Sequence, residues 1–319
     1  MSLSSILIER QYHPVILIGV PTSGKTVLLV SLLRYLKADT KTPFSFMLDD
    51  PLEQTAEGLE RHRLAEQFVN HKVNDFYDRK LPPRTDYNET YFLPLSIDPN
   101  NGGATARFAI LELSGELLAI DRNLDSLHKE LPEDIAQIYE SYPEPISIIL
   151  VGPYVFGDTL NELPERYDGE FRNCDLALEG NLKSYRKYRK FKKNDNIIFL
   201  LSKWDARQGP GNPEFLDYPS ELVRNLIRDR YPTAYEEFRK MATNHEKWLK
   251  QFNVSPYSAG LLGKGRALNI PPEYQTTQNA YTRALWNWLY VNATGEKLYK
   301  DPHLSLFYRI KELLKKAVS

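Results

Sequence analysis

The chain has 319 residues, 42% hydrophobic and 26% charged, with a formal net charge of −1. Such a composition excludes a disordered or fibrous chain, and the near-zero charge leaves any nucleic-acid or membrane partner to a local patch. A single cysteine, Cys174, excludes an internal disulfide and a cysteine-rich metal site and suits a reducing compartment.

The amino-terminal MSLSSILIERQYHP lacks the basic start and long apolar run of a signal peptide, and no stretch approaches the about 20 apolar residues of a membrane span. The cytoplasm is the expected location, with no transmembrane segment. The apolar run Val15 to Ile18 reads as a strand buried on both faces. Gly19-Val20-Pro21-Thr22-Ser23-Gly24-Lys25-Thr26 follows and fits G-x-x-x-x-G-K-[ST], the phosphate-binding P-loop. Val27, Leu28, Leu29, Leu32, Leu33 and Leu36 then resume at helical spacing. Strand, loop and helix stand in the order that turns backbone N–H groups and a helix N-terminus toward a phosphate.

Pro43 to Leu48 reads as a short strand, and Leu52 to Asp78 as mostly helix anchored by Leu59, Leu64, Phe68 and Phe76. The paired prolines of Leu81-Pro82-Pro83-Arg84-Thr85-Asp86 break it. Thr90 to Ile97 and Thr105 to Leu113 are strand-like and joined by the turn-rich Asp98-Pro99-Asn100-Asn101-Gly102-Gly103, so they form an antiparallel hairpin. A helix around Pro132 to Tyr142 precedes two buried strands, Ile146 to Val151 and Asn196 to Leu201. Helices follow at Pro219 to Arg230 and Ala234 to Gln251, then a strand at Asn253 to Tyr257. Helices at about Gln278 to Val291 and Leu304 to Ala317 finish the chain.

Strands alternating with helices predict an α/β fold: a doubly wound, mostly parallel P-loop NTPase sheet with one antiparallel hairpin strand and helices on both faces, its ligand at the strands' carboxyl ends. The length suits one elaborated domain over residues 1–295, with helical insertions at about 152–195 and 206–251. Residues 296–319 are expected to form an amphipathic helix packed on it.

The order of motifs resembles the P-loop GTPases of the Ras-like and translation-factor type. Gly19 to Thr26 is the first station. Thr85 sits where that family places a threonine closing on Mg²⁺ and the γ-phosphate, and Glu112-Leu113-Ser114-Gly115 stands where it has D-x-x-G. Ser202-Lys203-Trp204-Asp205 resembles its [NTS]-K-x-D guanine motif, and Ser258-Ala259-Gly260 its S-A-[KLG] loop. The Pro82-Pro83-Arg84-Thr85 loop and the Glu112 to Glu116 run also resemble the bacterial double-GTPase group linked to conflict systems.

The resemblance implies GTP/GDP and Mg²⁺ as ligands. Gly19, Pro21, Thr22, Ser23, Gly24, Lys25, Thr26 and Val27 would bind the phosphates, with Thr26, Thr85 and Glu112 on the metal. Ser202, Lys203, Asp205, Ser258 and Ala259 would receive the base. A carboxylate at Asp205 accepts from guanine's N1–H and exocyclic amine, which adenine cannot match; an ordinary solvated loop carboxylate is the other reading. Lys25, Thr85, Gly115 and Glu116 are the implied catalytic set. Glu112 keeps the charge of the usual aspartate and adds a methylene, compatible with a water-mediated Mg²⁺ contact or with a strand-end carboxylate facing solvent. Glu116 replaces the glutamine that orients water, and would either orient water itself or repel the γ-phosphate.

The implied function is a GTP-hydrolysing molecular switch controlling a protein effector or completed by an activating partner. A GTP-binding scaffold with little hydrolysis is the alternative, as is a P-loop ATPase or kinase in which SKWD is accidental. Outside these motifs, Lys183 to Lys193 (KSYRKYRKFKK) carries seven Lys and Arg and no acid, with Tyr185, Tyr188 and Phe191 at every third position. The run reads either as a surface for nucleic acid or another anion, or as an amphipathic helix whose aromatics dock while basic stems face water.

Overall fold

A computed structural model gives the fold. It describes residues 2–38, 44–77, 90–100, 102–113, 131–154, 168–191, 194–204, 220–243, 252–256, 261–262, 268–269 and 272–298. The centre is β1 (Tyr12–Ile18), buried at all seven positions. Around it lie β2 (Phe44–Leu48), β3 (Thr90–Pro99), β4 (Ala106–Leu113), β5 (Ser147–Pro153), β6 (Asn196–Ser202) and β7 (Phe252–Pro256), in the spatial order β2-β3-β4-β1-β5-β6-β7. β1 pairs in parallel with β4 and β5, and the parallel run continues through β6 to β7. β3 runs antiparallel to both of its neighbours, so among these seven strands it alone is reversed, as the hairpin reading requires. A separate two-stranded ladder joins β8 (Leu261–Leu262) and β9 (Leu268–Asn269).

The apolar strands explain their own burial. YHPVILI, SIILVGP and NIIFLLS lack the alternation of a half-exposed strand because helices cover both faces. The helices are α1 (Leu3–Glu9), α2 (Lys25–Ala38), α3 (Ala56–Gln67), α4 (Val73–Tyr77), α5 (Glu133–Ser141), α6 (Asp168–Tyr188), α7 (Ser220–Arg230), α8 (Pro232–Thr243) and α9 (Pro272–Thr294). A π turn, Phe68–Lys72, joins α3 to α4. Trp286 of α9 is fully buried, meets Phe108 edge-on at 5.9 Å and donates Nε1 to the Leu32 carbonyl of α2 at 3.1 Å.

Three differences from the sequence reading have local causes. The amino-terminal segment forms α1, capped by the Ser2 side chain, and buries Leu3, Ile6 and Leu7; the Leu3 N–H and Ser4 hydroxyl both bond to Gln137 of α5. Leu59 is 45% exposed rather than an anchor, because Gly58 and Ala65 face inward in its helix. The long α6 was visible in the sequence only as an unspecified helical insertion. The helix expected at Leu304 to Ala317 lies outside the described residues. No helix of the described residues is long and apolar enough to cross a membrane.

At the amino ends of the strands a buried guanidinium fixes the turn between α6 and β6. Arg189 donates Nε to Asp195 Oδ2 at 2.8 Å and Nη2 to Oδ1 at 2.9 Å, and reaches the carbonyls of Ile138, Tyr142 and Glu144. Asp195 also accepts from the Tyr185 hydroxyl and the Ile146 N–H. Such a buried pair is tolerable only because its hydrogen bonds are satisfied. Arg189→Met leaves Asp195 buried without its countercharge and is expected to cost about 3–5 kcal/mol in a urea-unfolding measurement.

His13 sits at the same end. Its Nε2 lies 2.8 Å from the Ser147 hydroxyl, which also accepts from Asn292 at 3.1 Å. Burial lowers the His13 pKa from 6.5 to about 4. The unfolded chain takes a proton below about 6.5 while the folded chain resists it, so stability is full above that pH and falls between 6.5 and 4. The expected loss is about 3 kcal/mol by pH 4. Denaturant midpoints across this range in wild type and His13→Asn check it: the variant should lose that part of the slope.

Candidate functional site

Strand register delivers the site. Leu17 of β1 aligns with Glu112 of β4, Ile18 aligns with Leu150 of β5, and Pro153 of β5 aligns with Ser202 of β6. The carboxyl ends of four parallel strands therefore finish at one edge, where the chain after β1 turns into α2. Thr22 (φ 65°) and Gly24 (φ 91°) both adopt the left-handed conformation, and Ser23 donates its N–H to Val20 at 3.2 Å. Such a turn gathers backbone N–H groups into an anion-binding nest. α2 begins at Lys25, with Leu28 N–H on the Gly24 carbonyl at 2.8 Å, so the helix dipole points into the same turn.

The side chains fit a phosphate–metal site. Lys25 is buried, and its ammonium donates to the carbonyls of Gly19 and Val20. The Ser23 hydroxyl is buried with no hydrogen-bond partner among the described residues. The Thr26 hydroxyl donates to Glu112 Oε1 at 2.5 Å, and Glu112 is fully buried. Burial removes the reading of Glu112 as a carboxylate facing solvent. Cis oxygens on an octahedral Mg²⁺ lie about 3 Å apart, so this pair needs to open by about half an ångström to share one ion. Pro21 and Val27 are half-buried at the rim.

The end of β6 is tied to the same turn. The Ser202 hydroxyl donates to the Ser23 carbonyl at 2.5 Å and to that of Gly152 at 3.4 Å. Lys203 then takes a left-handed φ of 55°, which ends the strand and turns Trp204 into the core, edge-on to Tyr154 at 5.8 Å. The structure thus brings Gly19 to Val27, Glu112, Ser202 and Lys203 to one edge. Thr85, Gly115, Glu116, Asp205, Ser258 and Ala259 lie outside the described residues, as does Arg84.

Sequence reasoning missed the support beneath the turn. Cys174 of α6 is buried there; loss of solvation pushes its thiol up to about 12, against the smaller opposing effects of Lys25, the Val20 backbone and the Tyr231 side chain. Tyr231, between α7 and α8, donates to the Pro153 carbonyl, and Asp175 caps α8 through the N–H groups of Thr233 and Ala234 at 3.0 and 2.8 Å. The only signal in the sequence was Gly152: a Cβ there would come within 2.9 Å of the Tyr231 ring.

Close packing makes Gly19 testable. A Cβ at that position would stand 2.6 Å from Ser23 Oγ and 2.7 Å from the Val151 carbonyl, whereas one at Gly180, on the surface of α6, meets nothing within 4 Å. Gly19→Ala is expected to cost about 1–3 kcal/mol through strain. Gly180→Ala should instead add about 0.5–1 kcal/mol, as glycine removal from a helix does. Paired denaturation curves check the contrast.

No protein-family model and no curated protein matches the chain. Among solved structures it is similar to the Ski7 GTPase-like domain of S. cerevisiae, in one structure bound to GDP and inorganic phosphate and in another to GTP, each at 14% identity and a TM-score of 0.37. Those alignments cover 88% and 94% of this chain but 52% and 54% of the Ski7 chains, so the chain spans about half their length. The Arl6 (BBS3) small GTPase from Trypanosoma brucei, with bound GppNp, aligns at 11% identity and a TM-score of 0.35, over 90% of this chain and 99% of that one. At such identities and scores the likeness assigns no residue and no activity. The chain's own parallel strands, its single reversed strand and the loop–helix turn after its central strand make an α/β P-loop fold.

Proposed function

We propose that the chain binds a guanine nucleotide with Mg²⁺ at the turn from Gly19 to Thr26 and hydrolyses GTP to GDP and phosphate as a molecular switch. The observation that carries this reading is the hydrogen bond from Ser202 to the Ser23 carbonyl, which ties the start of the Ser202-Lys203-Trp204-Asp205 motif to the phosphate-binding turn. In this reading the carboxylate of Asp205, the next residue after Trp204 in the chain, reads the base and discriminates guanine from adenine strongly, because a polar partner left unpaired is costly. Lys25 and the amides of the turn stabilise charge developing on the phosphate oxygens, while water attacks in line. Thr26 and Glu112 hold Mg²⁺, which when bound neutralises phosphate charge. Thr85, Gly115 and Glu116 complete the catalytic set in this reading, and Ser258 and Ala259 close over the base.

A second reading, a GTP-binding scaffold with little hydrolysis, draws on the direct Thr26–Glu112 bond, which the switch reading must open. Single-turnover hydrolysis of bound GTP separates the two. In either, a terminal helix within residues 296–319 would pack on the domain, the protein would work in the cytoplasm, and a protein effector or activator would read the nucleotide state.

The test is competition of GTP, GDP and ATP against a fluorescent GDP on nucleotide-stripped protein with Mg²⁺. Guanine nucleotides alone should compete, and Asp205→Asn should shift preference toward xanthine nucleotides. Equal competition by ATP would overturn the guanine assignment and leave an ATPase or kinase.

A further inference from the structure

We propose that the exposed turn at the end of α6 is a docking site for single-stranded nucleic acid. The basic run Lys183 to Lys193 divides once folded. Tyr185 and Arg189 are buried in the Asp195 clamp, Arg186 pairs with Glu237 at 2.7 Å and Lys183 with Glu179 at 2.7 Å. Four others face water: Lys187 and Lys190 are exposed and make no salt bridge among the described residues, while Tyr188 and Phe191 are 37% and 44% exposed. Lys187 Nζ lies 4.7 Å from the Tyr188 ring centre, and the Arg189 guanidinium 5.9 Å from that of Phe191.

The exposed rings stand on a rigid base. The Lys190 N–H bonds to the Tyr139 carbonyl at 3.0 Å, and its neighbour Arg189 is anchored by the buried pair with Asp195. Ordering this surface therefore costs a ligand little, because its backbone is already fixed. Two accessible rings three residues apart, with the exposed Lys187 and Lys190 on the same turn, match a chain of stackable bases joined by phosphates. An anionic membrane is the poorer match: the apolar face of α6, with Cys174, Leu178, Leu182 and Tyr185, is spent in the core, leaving only two partly exposed rings to insert. α6 starts at the strands' carboxyl edge and spans about 30 Å, so the site is at the far pole from the phosphate-binding turn. It stands independently of the nucleotide reading.

The test is fluorescence anisotropy of labelled 12-nucleotide oligouridylate RNA and oligothymidylate DNA with the full chain, in excess GDP to occupy the P-loop. Binding is expected to weaken about tenfold between 50 and 200 mM salt. Lys187→Glu with Lys190→Glu should weaken it about tenfold or more, and Tyr188→Ala with Phe191→Ala at least about fivefold, at unchanged melting temperature. The ratio of RNA to DNA affinity tells which polymer is the better ligand. No binding of either oligonucleotide at 50 mM salt, equal binding by wild type and both double variants, or binding only to phosphatidylserine vesicles would overturn the proposal.

Discussion

The site depends on one constraint, the burial of β1 on both faces between two parallel neighbours. A strand with no exposed position has no freedom of register, since a slip by one residue would turn every side chain against the wrong helix layer. Fixed in this way, β1 ends at a defined height, and the registers with β4 and β5 bring Glu112 and Gly152 to that height. The turn after β1 then has walls before it has any ligand.

Two kinds of contact hold those walls. The polar ones run across the edge of the sheet: Thr26 to Glu112 on one side, Ser202 to the Ser23 carbonyl on the other. They join β4, β1 and β6 through a short piece of backbone, so a change in the turn is felt at both flanks. The apolar and aromatic ones lie beneath, where Cys174 and Tyr231 fill the space under Val20 and Pro153. Close packing there leaves no room for a side chain at Gly19 or Gly152. Glycine in these places reflects close approach of backbone and ring more than conformational freedom.

The opposite pole is built on different physics. There the strands begin, and the buried Arg189–Asp195 pair gathers the carbonyls of Ile138, Tyr142 and Glu144. A buried charge pair of this kind gives geometric definition more than net stability. Its consequence is a turn stiff enough to display Tyr188 and Phe191 to solvent, which an unanchored loop would fold back onto the surface.

Short-range pattern in the sequence was enough for the strands, the hairpin and the P-loop, because continuous apolar runs, turn residues and a glycine-spaced loop each act over a few neighbours. FSFML, NIIFLL and the TYFLPLSI hairpin strand all fall where their patterns put them. What depended on partners distant in the chain could be decided only in three dimensions. Arg189 reads as one more base in a basic run until Asp195 and three carbonyls surround it. Glu112 reads equally as a metal-side carboxylate or as a strand-end one facing solvent until the parallel register buries it against Thr26. Cys174 and Tyr231 carry no motif, and meet under the turn only because α6 packs along the sheet. Hydrophobic period and turn chemistry are local and survive in one dimension, whereas burial, charge pairing and register are relations between segments and exist only once the chain is folded.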